Sequence, residues 1–348
     1  MSKLLIASTR HDAGKTSIII GIASVLEKKF GYIKPFGDRL IYHRKINWDY
    51  DTLLVNQLWN LNLESENMSL GFTHFKLRYV SQQDSIKQFL VEMAENAAAG
   101  KDLLFIEGGQ DLSYGSSIYF DSFSMAKYLG CKMIIVVSGD ADQIMDDITF
   151  LKKYQDMSGV DLKGVIVNKV HDVDEFEATH LKTIKNMGIE VLGVIPYKKK
   201  LTYFTMKFLA DRFFARIIAG EKGLNNVVTT ILVGAMATSE ALRTPLFNTE
   251  NKLIITSGDR SDMILAAIES NTAGIILTNN FVPPSNIISR ASERNIPLLL
   301  IPQHTYHIAR QMDNFEALVT KDDSEKLQML SHLAKKYINI DLLQTKDK

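Results

Sequence analysis

The chain has 348 residues, and its 40 basic residues balance its 40 acidic residues, so that its formal net charge at pH 7 is zero. A balanced charge provides no general attraction for nucleic acid or for an anionic membrane, and we expect the chain to bind neither. Cys131 is the only cysteine, which excludes a disulfide within the chain and a zinc site built from cysteines. The sequence shows neither a signal peptide nor an apolar run long enough to span a membrane, so we expect a cytoplasmic protein.

The first predicted elements are a strand at residues 4–8, a loop, and a helix that follows Gly14, Lys15 and Thr16. This order is typical of a loop that binds nucleotide phosphates, because backbone N–H groups of the loop and of the helix N-terminus point at the phosphates. Lys15 places a positive charge beside the β- and γ-phosphates, and the Thr16 hydroxyl can hold Mg²⁺. The predicted nucleotide-binding residues of the loop are Thr9, Arg10, His11, Asp12, Ala13, Gly14, Lys15, Thr16 and Ser17.

The loop departs from the usual G-x-x-x-x-G-K-[ST] pattern in two ways. Its spacing from Ser8 to Lys15 is one residue longer, and Thr9 stands in the place of the first glycine. The structural alternative is a glycine-capped helix that begins with Lys-Thr by chance. We predict phosphate binding.

Short apolar runs that end in glycine, proline or polar residues recur along the first 200 residues. They occupy residues 4–8, 31–35, 102–109, 132–139, 164–170 and 191–196. Helical patterns lie between them, for example at residues 85–99 and 141–157. This alternation predicts an α/β fold with a doubly wound parallel sheet, and such sheets bind ligands at the carboxyl ends of their strands.

Charged residues at that edge are the next candidates for the site. Glu107 ends the strand LLFIE, where a carboxylate can hold Mg²⁺ or position a water molecule, or can simply pair with a lysine. Lys34 ends the strand YIK, where a second lysine would neutralise phosphate charge, or would be solvated. Asp49 and Asp51 begin a helix, where aspartate is favoured as a cap as well as being a possible metal ligand.

The strand at residues 164–170 ends in Asn168-Lys169, which is similar to the start of the Asn-Lys-x-Asp motif that reads guanine in GTP-binding proteins. His171 stands in the place of the aspartate, so the N1 and N2 groups of guanine lack their partner. Asn168 can still bond to the ring nitrogens and the amine of adenine. We therefore predict ATP rather than GTP as the nucleotide, with Mg²⁺ as its metal.

After Pro196 the pattern loosens, and a turn-rich linker at residues 220–226 precedes a second β/α alternation. We predict a P-loop domain at residues 1–220, a smaller α/β domain at 226–330, and a C-terminal helix and tail at 331–348. In the smaller domain, Asp259 and Arg260 stand at a strand-to-helix turn. They suit an anionic ligand or a partner's carboxylate, and a helix cap with its paired arginine is the alternative.

Together these segments resemble a known group of proteins. The loop from Ser8 to Thr16, YIKPFG, the DYD step, IEGG and VIVNKV are similar to the dethiobiotin synthetase and cobyrinic acid amide synthase group of P-loop proteins, over residues 1 to about 215. More closely, the whole chain resembles the BioD-like region and DRTGG domain at the N-terminus of long phosphotransacetylases. The DRTGG part is carried by TSGDRSDMILAA, AGIILTNN and IPLLLIPQHTYHIARQMD, in which Thr-Asn-Asn at residues 278–280 replaces Thr-Gly-Gly.

The resemblance implies roles for individual residues of this chain. Lys15 and Thr16 would bind phosphate and Mg²⁺, and Asn168 would read adenine. The implied catalytic residues are Lys15, Lys34 and Glu107, and the implied metal ligands are Thr16, Asp51 and Glu107. Two departures from the patterns of related proteins limit which functions the resemblance implies for this chain. The segment EGGQDLSYGSS replaces the Glu-Gly-Ala-Gly-Gly of dethiobiotin synthetase, which argues against its diamine substrate, and Arg10 replaces the lysine through which MinD-type ATPases dimerise, which leaves a homodimer open.

The resulting functional prediction is a Mg-ATP-binding P-loop protein, a regulatory or sensor ATPase whose DRTGG domain binds a small effector or a protein partner. The acetyltransferase catalytic domain of phosphotransacetylases is nearly as long as this entire chain and is absent from it. We therefore expect no acetyltransferase activity. The alternative is an ATP-dependent ligase-type enzyme, carboxylate- or amide-forming, in which ATP phosphorylates a carboxylate or carbamate. Gly14, Lys15, Thr16 and Glu107 argue against a third possibility, a scaffold with a degenerate site.

Overall fold

The computed structural model describes residues 2–43, 45–65, 68–69, 83–313 and 315–344. They form two compact units, one made of Met1–Lys198 together with Lys321–Lys348 and the other of Lys199–Thr320. Within the described part of the chain, none of the helices combines the length and the apolar character that crossing a bilayer requires.

The first unit is built on a six-stranded parallel sheet with the strand order β2-β5-β1-β6-β7-β8. Its central strands are mostly apolar and are buried except at the amino ends of β1 and β6, as expected for a sheet with helices on both faces. A separate antiparallel hairpin, β3 and β4, follows β2. The strands of this unit are β1 (Ser2–Ser8), β2 (Phe30–Ile33), β3 (Leu40–His43), β4 (Ile46–Asp49), β5 (Leu103–Glu107), β6 (Lys132–Ser138), β7 (Leu162–Val170) and β8 (Val191–Pro196).

Helices connect these strands and enclose a core of aliphatic and aromatic side chains. Among the described residues up to β8, the helices of this unit are α1 (Lys15–Val25), α2 (Tyr50–Trp59), α3 (Gln83–Ala98), α4 (Ser122–Leu129), α5 (Ala141–Ser158) and α6 (Val173–Asn186). Because β1 pairs with β5 on one side and β6 on the other, Ile6 lies beside Glu107 and Ile134. This register brings the end of β5 next to the loop that follows β1.

The second unit has its own five-stranded sheet, in the order β10-β15-β14-β13-β12, and its own apolar core. All neighbours are parallel except β10, which pairs antiparallel with β15. Its elements are β9 (Phe204–Thr205), α7 (Met206–Arg212), β10 (Arg216–Ala219), β11 (Val227–Val228), β12 (Thr230–Val233), α8 (Thr238–Ala241), β13 (Lys252–Ser257), α9 (Ser261–Glu269), β14 (Thr272–Thr278), α10 (Ser285–Glu293), β15 (Leu298–Leu300) and α11 (Thr305–Asp313). The predicted fold class, a doubly wound α/β P-loop domain followed by a smaller α/β domain, is confirmed.

The compact units divide the chain at other positions than the predicted 1–220, 226–330 and 331–348. Residues 199–220 lie in the second unit because β10 extends its sheet. The last helices, α12 (Ser324–Tyr337) and α13 (Ile340–Gln344), return to the first unit. α12 packs so closely on α1 that a Cβ at Gly21 would lie 2.8 Å from the carbonyl oxygen of Leu330. The predicted domain limits differ from this division into compact units, and they remain a prediction.

Candidate nucleotide-binding site

The loop between β1 and α1 ends in a glycine whose backbone conformation other residues rarely adopt. Gly14 is the N-cap residue of α1 and has a φ of 96°, in the left-handed region. A Cβ at this position would lie 2.6 Å from Nδ2 of Asn168, which lies at the carboxyl end of β7. Both the backbone angle and the close approach of Asn168 therefore require glycine here.

Lys15 is buried and makes its contacts inside the loop. Its Nζ donates to Oγ of Ser8 at 2.8 Å and to the carbonyl oxygen of Gln110 at 3.2 Å. Burial lowers the pKa of Lys15, although Glu107 opposes this shift. Because both hydrogen-bond acceptors are neutral, the ammonium group at the start of α1 is suited to an anionic ligand.

Thr16 and Glu107 meet at the carboxyl edge of the sheet. The Thr16 hydroxyl donates to Oε1 of Glu107 at 2.9 Å, and the Tyr32 hydroxyl donates to Oε2 at 2.9 Å. Burial raises the pKa of Glu107 to about 7, although Lys34 and Lys15 partly oppose this shift. The carboxylate is thus oriented by two hydroxyl groups, one from the phosphate loop and one from β2.

Lys34 is the centre of a buried cluster of carboxylates. Its Nζ lies 2.6 Å from Oδ1 of Asp38 and 2.6 Å from Oδ2 of Asp51, and it lies 3.7 Å from Asp49 and 3.6 Å from Glu107. Burial by itself would lower the pKa of Lys34, but the carboxylates outweigh it and raise that pKa well above its usual range. Lys34 is therefore a charged group inside the fold, and not a solvated lysine.

The two aspartates that begin α2 have different partners. Asp49 is the helix cap, since its carboxylate accepts hydrogen bonds from the backbone N–H groups of Asp51 and Thr52. Asp51 faces Lys34 and also lies 3.2 Å from Nη1 of Arg39. Burial acts to raise the pKa of Asp51, but Lys34 and Arg39 outweigh it and hold that pKa below its usual range. Asp51 therefore forms the shorter ion pair with Lys34, at 2.6 Å against 3.7 Å for Asp49.

The oxygen atoms around Lys34 suit a hard divalent cation. Thr16 supplies a hydroxyl, and Glu107 and Asp51 supply carboxylates, which is the ligand chemistry that Mg²⁺ prefers. Asp38, Asp49 and Asp51 also place one carboxylate oxygen each within 4.8 Å of one another. The predicted metal ligands thus fit Mg²⁺ in chemical type, and Lys34 holds two of them, Asp51 and Glu107, around one ammonium group.

Other side chains of the loop make contacts within the protein. Arg10 forms a bidentate pair with Asp147 on α5, at 2.8 and 3.0 Å. Asp12 accepts from Nη2 of Arg39 at 2.8 Å and contacts Nδ1 of His11 at 2.6 Å. Any contact of these residues with phosphate would therefore come from their backbone, or from side chains that leave these partners.

The remaining predicted loop residues differ in their hydrogen bonds and in their burial. The Thr9 N–H donates to the carbonyl of Val136 in β6 at 3.2 Å, so this group extends the sheet. The Thr9 hydroxyl oxygen is buried without a hydrogen-bond partner among the described residues. Ala13 is fully buried, and Ser17 is the third residue of α1.

Asn168 lies beneath the loop. Its Nδ2 donates to the carbonyl oxygen of Ala13 at 2.8 Å, and the neighbouring Lys169 donates through Nζ to the carbonyl of Asp12 at 2.6 Å. The structure therefore brings this predicted residue to the site as a support of the loop. Its role as the adenine reader remains a prediction.

Sequence reasoning missed several groups of this site, among them Arg39, which pairs with Asp12 and Asp51. Tyr32 could have been found, since it lies two residues before Lys34 and alternate residues of a strand share a face. Asp38 carries no recognisable motif, and its contact with Lys34 depends on the turn after β2. Gln110 contributes only its backbone carbonyl, for which side-chain patterns hold no signal.

In the second unit, Arg260 is the N-cap residue of α9 and makes no side-chain cap. Its Nη2 donates to the carbonyl of Met236 at 2.9 Å, and its Nε lies 3.5 Å from Asp262. The alternative of an Asp259 cap paired with Arg260 is therefore wrong, because the arginine instead ties the loop after β12 to the start of α9.

The asparagines that replace the glycines of DRTGG keep a glycine-like backbone. Asn279 and Asn280 have φ values of 62° and 54°, in the left-handed region, which asparagine tolerates better than other side chains do. Asn279 Oδ1 also lies 2.6 Å from Nδ1 of His304. The turn after β14 thus adopts the left-handed conformation at both of these positions.

The profile of the AAA domain family matches residues 2–204, which is more than half of the chain. The chain belongs to this family. The DRTGG domain profile matches residues 209–315. The predicted resemblance, a BioD-like P-loop domain followed by a DRTGG domain as in long phosphate acetyltransferases, is confirmed.

The curated relatives of this AAA-family protein match it over nearly its whole length. The phosphate acetyltransferase of Synechocystis sp. is 26% identical over 94% of this chain and 49% of the relative. That of Nitrosomonas europaea is 25% identical over 99% of this chain and 51% of the relative. The chain therefore spans about half the length of the curated relatives that it matches.

These relatives overturn one prediction. The expectation of a protein without acetyltransferase activity is wrong, because several relatives named phosphate acetyltransferase match almost every part of the chain at 21–26% identity. The expectation rested on the absence of the acetyltransferase catalytic domain, which is nearly as long as this chain. The matches show instead that sequence of this kind is itself a regular part of proteins with that name.

Two solved structures are similar in part. The CBS and DRTGG domains of the regulatory region of Clostridium perfringens pyrophosphatase, complexed with diadenosine tetraphosphate, are 17% identical and have a TM-score of 0.29, over 50% of this chain and 71% of that chain. A putative plasmid partition protein from Borrelia burgdorferi bound to AMPPNP is 14% identical with a TM-score of 0.39, over 57% and 88%. At these low TM-scores, neither likeness carries an argument about binding.

Proposed function

We propose that this chain binds Mg-ATP at the loop of residues 9–17, as the nucleotide-binding part of a phosphate acetyltransferase. The observation that carries the proposal is the pair of adjacent residues at the start of α1. Lys15 directs its ammonium group at neutral oxygens, and Thr16 hydrogen-bonds to the Glu107 carboxylate. A triphosphate brings the negative charge that suits Lys15, and its metal brings the positive charge that suits Glu107.

In this proposal the residues at the start of α1 and around Lys34 have separate roles. Lys15 leaves Ser8 and the Gln110 carbonyl and bonds to the β- and γ-phosphate oxygens. Thr16, Asp51 and Glu107 would hold Mg²⁺, which would neutralise phosphate charge. Lys34 stays among its carboxylates, keeps Asp51 ionised, and adds positive charge next to the terminal phosphate.

The choice of base rests on the end of β7. His171 follows Asn168-Lys169 where a guanine-reading protein has an aspartate. We propose that Asn168 keeps its bond to Ala13 through Nδ2 and uses its Oδ1 toward the amine of adenine. ATP should therefore bind more tightly than GTP.

Calorimetric titration of the purified chain with ATP and Mg²⁺ tests nucleotide binding directly. Lys15→Ala should weaken ATP binding by about 1.5–3 kcal/mol, because a charge-assisted hydrogen bond is lost, and should leave adenosine binding unchanged. Lys182→Ala, at an exposed position on α6, is the matched control and should bind as the wild type does. An equal loss for ATP and adenosine would show that the loop is not a phosphate site.

The acetyltransferase part of the proposal is supported by the curated relatives and needs its own assay. Acetyl phosphate formation from acetyl-CoA and phosphate should be measured with the purified chain. Turnover that disappears on heat inactivation supports acetyl transfer by this chain. If no acetyl phosphate forms over a broad range of substrate concentrations, the acetyltransferase part of the proposal is contradicted. The result of the ATP titration is not affected by that outcome.

For the DRTGG domain we propose a small effector or a protein partner at the carboxyl edge of its sheet, near Arg260. The support is the arginine that links the loop after β12 to the start of α9. Arg260→Ala should reduce binding of the effector with an unchanged melting temperature.

A homodimer and a cytoplasmic location remain predictions. Light scattering of the purified chain tests the homodimer.

A further inference from the structure

Arg39 lies between the phosphate loop and the buried carboxylate cluster. Its Nη2 donates to Oδ1 of Asp12 in the loop at 2.8 Å, and its Nη1 donates to Oδ2 of Asp51 at 3.2 Å. Its backbone is fixed as well, since its N–H donates to Asp49 at 3.2 Å and its carbonyl accepts from the N–H of Tyr50 at 2.9 Å. One guanidinium group thus bridges two carboxylates that are far apart in the sequence.

The contacts of Arg39 close a ring of side chains that begins and ends in the phosphate loop. Successive members of the ring lie between 2.6 and 3.6 Å apart. The members, in order of contact, are Thr16, Glu107, Lys34, Asp51, Arg39 and Asp12. Because this ring contains the residues that we propose for the phosphates and their metal, Arg39 belongs to the same site.

Arg39 is also more accessible than the lysine beside it. Its side chain is 21% exposed, whereas the side chain of Lys34 is 1% exposed. A ligand that approaches from solvent can therefore reach the guanidinium without entering the buried cluster. The five N–H donors of this planar group match the oxygens of a phosphate.

Asp51 can release Arg39 and still remain paired. Its Oδ2 contacts both cations, Lys34 at 2.6 Å and Arg39 at 3.2 Å. Because the shorter pair persists, the departure of Arg39 does not leave a buried carboxylate without a cation. Asp12 holds the other side of the guanidinium, and its own carbonyl accepts from Nζ of Lys169 at 2.6 Å. Arg39 can therefore turn one nitrogen toward a new anion while Asp12 keeps it at the loop.

The arginine within the loop itself is held differently. Arg10 donates two hydrogen bonds to one carboxylate, that of Asp147, at 2.8 and 3.0 Å. Such bidentate pairs are strong, and a phosphate would have to displace both bonds to engage Arg10. Arg39 divides its nitrogens between two carboxylates and can exchange one of them alone.

We propose that Arg39 determines specificity for the triphosphate: its Nη1 leaves Asp51 and donates to an oxygen of the terminal phosphate, so that the site distinguishes ATP from ADP. This rests on the Mg-ATP binding proposed above and adds the residue that recognises the third phosphate. ADP lacks that phosphate and leaves Arg39 on Asp51. Lys15, which is proposed to contact the β-phosphate as well, contributes to the binding of both nucleotides.

Calorimetric titrations of the full chain with ATP and with ADP, both in Mg²⁺, test this. The measured quantity is the ratio of the ATP affinity to the ADP affinity. Because both nucleotides are titrated into one preparation, a fraction of unfolded chain affects both equally and leaves the ratio unchanged. In the wild type, ATP should bind at least about tenfold more tightly, since a charge-assisted hydrogen bond to the terminal phosphate is worth that much.

Arg39→Ala should bring this ratio close to one, mainly through weaker binding of ATP. Arg39→Lys retains the positive charge and should recover part of the ratio. Arg243→Ala is the matched control, because it removes an exposed arginine that pairs with Glu240. An exposed pair of this kind contributes little, so the control should change the ratio less than about twofold.

Asp12→Gly separates orientation from charge. Glycine adopts the φ of 56° at this position without strain, and the substitution removes the carboxylate that holds Arg39. If Asp12 acted through its charge alone, its removal would favour the more negative ATP and raise the ratio. Because Asp12 orients Arg39, we expect the ratio to fall, and a rise would overturn this part of the proposal.

Two results would overturn the role of Arg39. Equal losses for ATP and ADP in Arg39→Ala would make Arg39 a structural link between the loop and the cluster, and a ratio near one in the wild type would show that the third phosphate is not recognised. Both results leave Mg-ATP binding itself intact. A wild type that binds neither nucleotide would instead overturn the binding proposal and this one together.

Discussion

Thr16 and Glu107 lie 91 residues apart in the sequence and are joined by a hydrogen bond of 2.9 Å between Oγ1 and Oε1. The bond connects the first turn of α1 with the end of β5, which are neighbours only because β1 and β5 pair in parallel. It holds the hydroxyl and the carboxylate that we propose for Mg²⁺ in contact with each other. This pair is the starting point for the first two predictions.

Replacing Thr16 distinguishes the contribution of Mg²⁺ to ATP binding from that of the nucleotide itself. Thr16→Ala removes the hydroxyl, so we expect the Mg²⁺ dependence of ATP binding to be lost, with little change for ATP in EDTA. Thr16→Ser retains the hydroxyl and should keep the Mg²⁺ dependence. Calorimetric titrations of both variants with and without Mg²⁺ check this, and an unaltered Mg²⁺ effect in Thr16→Ala would remove Thr16 from the metal site.

Glu107 should make the stability of the protein depend on pH. Burial raises the pKa of its carboxyl from about 4.5 to about 7 in the folded chain. Between these values the folded state binds more protons than the unfolded state, so the contribution of Glu107 to the free energy of unfolding falls as pH rises from about 4.5 to about 7.

Glu107→Gln lacks this proton and should lack this part of the pH dependence. Urea unfolding of both proteins at pH 5, 6, 7 and 8 measures the effect. The free energy of unfolding of the wild type minus that of the variant should decrease across this range and level off above pH 7. A difference that stays constant or increases would contradict the raised pKa.

Lys34 is the positive charge that makes the buried carboxylate cluster tolerable. Lys34→Met preserves its bulk but leaves Asp38, Asp51 and Glu107 without their shared cation, and breaking a buried ion pair in this way costs about 3–5 kcal/mol. Urea unfolding should therefore show a loss of this size, and Lys185→Met on the exposed surface of α6 should show almost none. Adding Asp51→Asn should recover part of the loss.

Asn168 connects the end of β7 to the phosphate loop. Asn168→Ala loses the hydrogen bond to the Ala13 carbonyl, so ATP affinity should fall by about 1 kcal/mol. If its Oδ1 also reads adenine, the ratio of ATP to GTP affinity should fall as well. Titrations with both nucleotides check this, and an equal loss for the two would restrict Asn168 to supporting the loop.

The sequence by itself was sufficient to predict the strand, loop and helix around Gly14, Lys15 and Thr16, and to predict a parallel sheet in the first half of the chain and a smaller α/β domain in the second. These features depend on neighbouring residues: the apolar runs specify buried strands, and glycine specifies the left-handed turn before α1. The family resemblance was also readable, since its motifs are short and contiguous. The exclusion of acetyltransferase activity had no such local basis, and it was wrong.

Only the tertiary structure decided which charged groups face one another. Lys34 could have been a solvated strand end, but the turn after β2 and the start of α2 enclose it between Asp38 and Asp51. Pairing between strands and packing of helices join residues that are far apart in the chain, and the energies of burial and charge that result are properties of those long-range contacts.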